Sequence, residues 1–128
     1  MELILQSNDT INSLKAAFHA QYENLRIQFF KHDHHMGEGS PKKEMLPGDT
    51  LLTSLSDKAH DTRISCDSSI SIGDFEQLIH DELGLNVQVF RRSGTVWLQT
   101  LNSDEWSLDE ANKRANELYE DEESTALN

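Results

Sequence analysis

The sequence predicts an α+β domain made of two repeated strand-helix-strand units, a C-terminal hairpin strand and a final helix. Three features lead to this prediction: a repeated hydrophobic pattern, a turn signal between two strand-like runs, and a helix start near the C-terminus. We expect one domain over residues 1–128, because a chain of this length buries about two thirds of its unfolded surface. We expect one sheet of about five strands, helices mainly on one face, with ferredoxin-like pairing.

The repeat relates residues 3–31 to residues 64–91 by pattern and not by identity. In each copy a strand with alternating apolar residues precedes apolar residues at spacings of three and four, which is typical of an amphipathic helix. The matching helix positions are Ile11, Leu14, Phe18 and Tyr22 in the first copy, and Ile72, Phe75, Ile79 and Leu83 in the second. A second strand follows, and its inner face is expected to pack beneath the helices: Leu25, Ile27 and Phe29 in the first copy, and Leu85, Val87 and Val89 in the second.

The ends of the two repeated helices carry matching signals. Asp9 or Thr10 and, in the second copy, Ser71 are expected to cap the helices, because their side-chain oxygens accept hydrogen bonds from free N–H groups. Asn24 and Gly84 share one repeat position, and both residue types tolerate the left-handed backbone that ends many helices. We therefore expect both residues to adopt that conformation.

A turn signal at Arg92-Ser93-Gly94-Thr95 predicts a hairpin between residues 87–91 and 96–101. A loop of Ser93 and Gly94 gives a self-consistent register. It predicts these cross-strand pairs: Val89 with Leu98, and Phe90 with Trp97.

Ser107 and Glu110 form a capping-box pattern, which predicts a helix from there to about Tyr119. In the connection, residues 49–55 predict a short helix with Leu51, Leu52 and Leu55 pointing inward. The predicted organisation is therefore unit 1 at 1–31, connection 32–62, unit 2 at 63–91, hairpin strand and helix 92–119, and acidic tail 120–128.

Acidic residues outnumber basic ones, with 23 Asp and Glu against 11 Lys and Arg and a net charge of −12. Residues 102–128 hold nine of the acids and two bases. Such a field repels phosphate backbones, so we do not expect nucleic-acid binding. The run Glu120-Asp121-Glu122-Glu123 is read as a solvated helix end, or alternatively as a strip that binds a basic partner or imitates nucleic acid.

The longest apolar runs are three residues, as at Leu3-Ile4-Leu5, where a membrane span needs about 20. A single cysteine, Cys66, cannot form an internal disulfide. We therefore expect no membrane association and a cytoplasmic location.

One face of the predicted sheet carries aromatic and amide side chains opposite the helices: Gln28, Phe30, Gln88, Phe90 and Trp97, with Ile4 from the first strand. An exposed mixture of this kind is typical of an interaction surface. We expect a partner protein or a second copy to cover it. The alternative is that the 32–62 connection or the final helix covers it and makes a second small core.

His32-Asp33-His34-His35 is the most conspicuous candidate metal site, with Glu38, His60 or Cys66 as a further ligand. The surrounding loop lacks rigid support and no HExxH or CxxC spacing occurs, so we predict neither metal nor cofactor. Cys66 is expected to be a small buried apolar residue, and no nucleophile or phosphate-loop motif is present, so we assign no catalytic residue.

Two further histidines, His19 and His80, occupy matching repeat positions. They are read as surface residues of the helices, or alternatively as a pH-sensitive pair across the repeat axis. Aromatic side chains on a sheet are also used to stack RNA bases. Few cations could serve such a surface here: Arg26, Lys31, Arg91 and Arg92.

The run from Val87 to Leu98, followed by Trp106-Ser107-Leu108, resembles small acidic bacterial proteins of unknown function, including the mobile gene-cassette (integron cassette) type. The resemblance covers about residues 63–112, and it implies a bacterial cytosolic protein without assigning any activity. We predict a non-enzymatic protein-interaction module, acting as a homo-oligomer or as an acidic binder of another bacterial protein. The alternative is a small ligand- or metal-binding domain or enzyme with its site near the His-rich connection 32–60.

Overall fold

A computed structural model of the chain describes residues 1–31, 42–59, 61–100, 105–115 and, for the backbone, 124–125. It confirms the α+β class. The elements are β1 (Glu2–Leu5), α1 (Ile11–Gln21), β2 (Leu25–Phe30), α2 (Leu52–Leu55), β3 (Thr62–Ser65), α3 (Ile72–Leu83), β4 (Asn86–Ser93), β5 (Val96–Gln99), α4 (Leu108–Lys113) and β6 (Ser124–Thr125), with a 3₁₀ turn at Lys42–Glu44. Among these described helices, none has the length and apolar character that crossing a bilayer requires.

The strands form two antiparallel sheets, so the predicted single sheet of five strands, and with it the ferredoxin-like pairing, is wrong. β1 pairs with β3, while the larger sheet has the order β2-β4-β5 with the short β6 beside β5. β1 and β3 pair with each other along one edge of each strand. Met1 and Cys66 extend this pairing, because their backbones exchange two hydrogen bonds of 2.8 and 3.0 Å. At the other edge of β1, the Gln21 side chain donates to Glu2 O and accepts from Glu2 N. The backbone of Glu2 therefore has hydrogen-bond partners at this edge although β1 does not join the larger sheet.

One hydrophobic core joins the two repeated helices to both sheets. The inner faces of β2 and β4, with Leu85 just before β4, pack in it as predicted: Leu25, Ile27, Phe29, Leu85, Val87 and Val89. Phe18 of α1 and Phe75 of α3 are fully buried, and their ring centroids lie 5.3 Å apart. The aromatic contact couples the two halves of the chain at the centre of the core.

Both predicted helix starts are confirmed, but the helix ends differ. Thr10 Oγ1 accepts from Ser13 N at 3.3 Å, and Ser71 Oγ accepts from Asp74 N at 3.1 Å. Gly84 ends α3 with the expected left-handed backbone, at φ +67°.

The expectation of a left-handed Asn24 is wrong. Asp61 alone has a positive φ among the described residues other than glycine. Asn24 instead contacts the C-terminal end of α4. Its backbone N donates to Asn112 Oδ1 at 3.0 Å and its Nδ2 donates to Asn112 O at 3.1 Å. These two hydrogen bonds fix the residue through a contact distant in the sequence.

The β4–β5 hairpin forms with a register two residues from the predicted one. Arg92 lies opposite Trp97 and Phe90 lies opposite Gln99, so the loop is Gly94–Thr95. Gly94 has φ +62°, which suits the first loop position of a type II′ turn, and this places the loop one residue later than expected. A shift of two residues preserves the face on which each side chain lies, because the side-chain period of a strand is two.

The two shorter helices also depart from expectation. Ser107 caps α4 as predicted, with Oγ accepting from Glu110 N at 3.0 Å, but the helix ends at Lys113 and does not reach residue 119. Before α2, Leu51 is 46% exposed and only the following Leu52 is fully buried. Leu51 therefore does not point inward, because it precedes the helix in an extended conformation.

Candidate functional site

The five side chains predicted to form an open face are all buried. Their exposed fractions are 6% for Gln28, 2% for Phe30, 1% for Gln88, 0% for Phe90 and 4% for Trp97. The three aromatic residues form a second small core on the far side of the larger sheet. The expectation of an open aromatic face is therefore wrong.

Met45 of the connection packs against this second core, as the alternative reading required. It forms an antiparallel bridge with Phe30. The neighbouring Leu46 N donates to Phe29 O at 2.8 Å, and Lys31 N donates to Glu44 O at 3.1 Å. Residues 44–46 thus line the outer edge of β2 and bring Met45 onto the aromatic cluster.

Ile4 does not belong to this cluster. It lies on the outer face of the β1–β3 sheet, opposite Arg63, and is 56% exposed. The two glutamines lie directly opposite one another in β2 and β4. Gln88 Nε2 donates to Val89 O at 3.3 Å and to Thr100 Oγ1 at 3.4 Å, so its amide binds within the sheet and not at the surface.

Half-buried cations surround the indole ring of Trp97. The guanidinium carbon of Arg26 lies 4.2 Å from the ring centroid, and that of Arg92 lies 5.1 Å away. The His19 ring meets Trp97 edge-on with centroids 6.2 Å apart. Guanidinium groups at these distances make favourable cation–π contacts. These contacts explain how Trp97 can be buried next to charged side chains.

The strand register positions these two arginines. Arg92 lies directly opposite Trp97, and Arg26 lies opposite Phe90 on the same face of the sheet. Arg92 N donates to Asn24 O at 2.9 Å, which holds the end of β4 beside the start of β2. Lys15 lies one turn before His19 on α1, and its charge acts on Arg26. We call Lys15, Arg26 and Arg92 the basic rim.

The members of the basic rim repel one another. Burial and then the charge of Arg26 lower the pKa of Lys15, and burial and then the charge of Arg92 lower the pKa of Arg26. Within the described part of the chain, no acidic side chain lies within ion-pair distance of Lys15, Arg26 or Arg92.

Other arginines of the chain have acidic neighbours. Arg63 Nη1 lies 3.7 Å from Glu2 Oε2, and Arg114 Nε lies 2.6 Å from Glu110 Oε1. The basic rim is thus a local positive centre in a chain whose net charge is −12. Such a centre attracts an anionic group.

The histidine predictions fall in two groups. His32, His34, His35 and His60 lie outside the described residues, so the metal prediction stays a prediction. Among the residues that are described, no three His, Cys, Asp or Glu side chains are grouped to hold a metal. His19 Nδ1 lies 2.9 Å from Leu25 O, and His80 Nδ1 lies 3.2 Å from Asn86 Oδ1, so each ring contacts its own unit.

Cys66 packs half-buried against the main core, in part as expected. Burial raises the pKa of its thiol, which opposes formation of the reactive thiolate. The geometry therefore gives no support to nucleophilic chemistry at Cys66.

Sequence reasoning considered Arg26 and Arg92 only as contacts for RNA and did not single out Lys15. The alternation of β2 and β4 already placed both arginines on the face that carries Phe90 and Trp97. That signal could have identified the basic rim, since cations and aromatic rings on one face form favourable pairs.

Comparison with known proteins gives no relative: no protein-family model matches the chain, and no curated protein or solved structure is significantly similar. The resemblance to bacterial cassette proteins therefore remains a prediction.

Proposed function

We propose that the protein is a non-enzymatic interaction module that binds an anionic group of a partner protein at the basic rim. The observation that carries this proposal is that Arg26 and Arg92 lie against the ring of Trp97, with the charge of Lys15 acting on Arg26, and that none of the three has an acidic partner among the described residues. An anion placed there would relieve the mutual repulsion of the three cations.

The composition strengthens the argument. The chain has 23 acidic residues, so a folded structure has ample means to neutralise three cations internally. The arginines at 63 and 114 show that such pairs form elsewhere in this protein. Among the described residues, the rim brings cations close to one another without an acidic partner, and such a cluster suits a ligand that supplies the negative charge.

Base stacking has no support at this site. Trp97 is 4% exposed and its ring is flanked by the arginines, so it offers no open face to a nucleobase. Long nucleic acids would also bring many phosphates towards a chain of net charge −12. A single anionic group on a partner protein fits both observations better.

We also propose that residues 3–31 and 64–91 are copies of one unit. Equivalent positions face each other, as Leu3 does Ile64 and Gln28 does Gln88. Each half also receives a hydrogen bond of 3.0 Å just before its helix, from Leu52 N to Asp9 O and from Leu108 N to Ile70 O. These matching contacts support a duplicated unit with the basic rim at one end only.

Binding of dye-labelled anionic peptides, measured by fluorescence anisotropy, tests the proposed function. We expect saturable binding of a hexaglutamate or a phosphoserine peptide to the wild type. The double change Arg26→Gln with Arg92→Gln should weaken binding by at least about tenfold. Arg63→Gln removes an arginine of the other sheet and serves as the matched control, with a change of less than about twofold expected.

The proposal fails if neither peptide binds at about 1 mM. It also fails if the control variant loses as much affinity as the double variant. Circular dichroism of each variant shows whether its fold is intact. Since the rim arginines cover Trp97, single changes at Arg26 and at Arg92 serve as a second test should the double variant unfold. Light scattering of the free protein reports whether a second copy is the partner.

A further inference from the structure

We infer that the anionic group recognised by the basic rim is a phosphate monoester, in preference to a carboxylate. The inference rests on the proposed function and specifies the ligand of that same site. Its basis is the number, direction and charge of the donors around Trp97.

The two rim arginines have unused hydrogen-bond donors. Each guanidinium group carries five N–H donors in one plane, and contact of its face with an aromatic ring leaves those in-plane donors available. In the described part of the chain, no acceptor lies within hydrogen-bond distance of the guanidinium groups of Arg26 and Arg92. A ligand rich in acceptor oxygens would satisfy them.

The donors come from three elements. Lys15 lies on α1, Arg26 on β2 and Arg92 on β4, while Trp97 on β5 has both guanidinium groups against its ring. A planar carboxylate is fully served by one guanidinium group in a two-point contact. A tetrahedral phosphate offers oxygens in several directions, so it can bind donors from more than one element at once.

The charges also agree better with phosphate. Three cations face the site, whereas a carboxylate brings one negative charge. A phosphate monoester brings about −1.5 to −2 charges at neutral pH together with three strong acceptor oxygens. It therefore compensates more of the repulsion of Arg26 by Lys15 and by Arg92, which together with the larger effect of burial lowers the pKa of Lys15 and of Arg26.

The support beneath the donors is rigid. Trp97 is buried at 4% exposure, and its strand pairs with β4 at Arg92. His19, which contacts the edge of the indole ring, is itself held by Leu25 O at 2.9 Å. Arginines that rest on a fixed ring lose less conformational freedom on binding than arginines in a loop. The basic rim therefore resembles a preformed phosphate site and not a diffuse charged surface.

A matched pair of peptides tests the inference on the full chain. One is a short labelled alanine–glycine peptide with a central phosphoserine, and the other carries glutamate at that position. We expect the phosphoserine peptide to bind at least about tenfold more tightly than the glutamate peptide. Arg92→Lys keeps the charge but removes the two-point contact, so it should remove most of this preference while changing glutamate-peptide binding by less than about threefold.

Competitors identify the source of the phosphate. Inorganic phosphate that displaces the labelled peptide at a similar concentration would indicate a small phosphorylated molecule as ligand. Displacement by the unlabelled phosphopeptide alone would indicate a phosphorylated protein. Both results support recognition of phosphate.

Two results would overturn the inference. Equal affinity for the two peptides, with loss of both in the Arg26→Gln and Arg92→Gln variant, leaves the proposed function intact and rejects phosphate preference. Tighter binding of a single-stranded oligonucleotide than of the phosphopeptide rejects a monoester and makes a nucleic-acid backbone the ligand. Failure of every anion to bind rejects the proposed function as well.

Discussion

The two halves of the chain share one order of elements but use equivalent positions for different purposes. Lys15 and Arg26 in the first half correspond in the predicted repeat to Glu76 and Asn86 in the second. Glu76 is buried, and its Oε2 accepts a hydrogen bond of 2.8 Å from Val89 N. In the second half, the side chain of Glu76 thus accepts a hydrogen bond from the protein's own backbone. In the first half, the corresponding position carries the cation Lys15. If the two halves are copies of one unit, the same position provides an internal hydrogen bond in the second half and a member of the basic rim in the first.

The sheet edges differ in the same way. Gln21 of the first half both donates to and accepts from the backbone of Glu2, so its amide completes the edge of β1. Its counterpart in the second half is Glu82, whose carboxylate has no N–H to donate. The first half therefore has a side chain that binds the strand edge at Glu2, and the second half lacks the group that would do so in the same way.

The largest expected effect comes from the contact that couples the halves. Phe18→Ala and Phe75→Ala each remove a fully buried ring and should each lower the free energy of unfolding by about 3–5 kcal/mol. A double-mutant cycle measured by urea denaturation should give a coupling energy of about 0.5–1.5 kcal/mol, because the rings touch. Additive losses would show that the halves are energetically separate. Phe→Leu variants provide the same cycle if the alanine variants do not fold.

A smaller effect distinguishes the two helix ends. Gly84→Ala should cost about 1–2 kcal/mol, because the residue is left-handed. A clash adds to that cost, since the new Cβ would lie 2.6 Å from Ser56 Oγ. Gly94→Ala is the matched control, because Gly94 is also left-handed and has no atom within 4 Å of its Cβ position.

Asn24→Gly is the corresponding change in the first half. It should cost about 1 kcal/mol, because it removes the side-chain hydrogen bond to Asn112 O and adds backbone freedom. Chemical denaturation measures the loss in free energy of unfolding for both Gly84→Ala and Asn24→Gly. A stabilised Asn24→Gly variant would contradict the structure and restore the left-handed conformation that the sequence predicted.

The smallest expected effect concerns the sheet edges. Gln21→Glu removes the donor to Glu2 O and should lower the free energy of unfolding by about 0.5–1 kcal/mol. Glu82→Gln supplies an amide at the equivalent place and should raise it by a few tenths of a kcal/mol. Thermal unfolding at high salt checks both changes, because salt suppresses the accompanying change in charge. A lower free energy of unfolding in both variants, Gln21→Glu and Glu82→Gln, would argue against the duplicated unit.

Local patterns predicted much of the fold. The caps at Thr10, Ser71 and Ser107, the inner strand faces and the grouping of Phe30 with Phe90 depend on neighbours in sequence or on strand alternation. The pairing of β4 with β5 was predicted, but the division of the strands into two sheets was not, because short strands satisfy the same hydrophobic pattern in one sheet or in two. The end of α1 was missed because Asn24 is held by Asn112, far along the chain.

The candidate site was predictable in part for the same reason. The alternation of β2 and β4 placed Arg26 and Arg92 on one face, but it could not show that Met45 would bury the aromatic side chains. Lys15 joins the basic rim only through the packing of α1 on β2, which no local pattern encodes. The sequence thus predicted which residues share the face of the sheet with Trp97. The prediction of which of these residues are exposed was wrong.

The hairpin loop determines which residue faces Trp97. A loop of Gly94 and Thr95 puts Arg92 there, whereas the loop predicted from the sequence would have put Phe90 in its place. A two-residue slip keeps every side chain on its own face, so it changes the composition of the site without exchanging core and surface. Mutations in this turn could therefore alter ligand preference during evolution, or in a directed-evolution experiment, while the main core stays as it is.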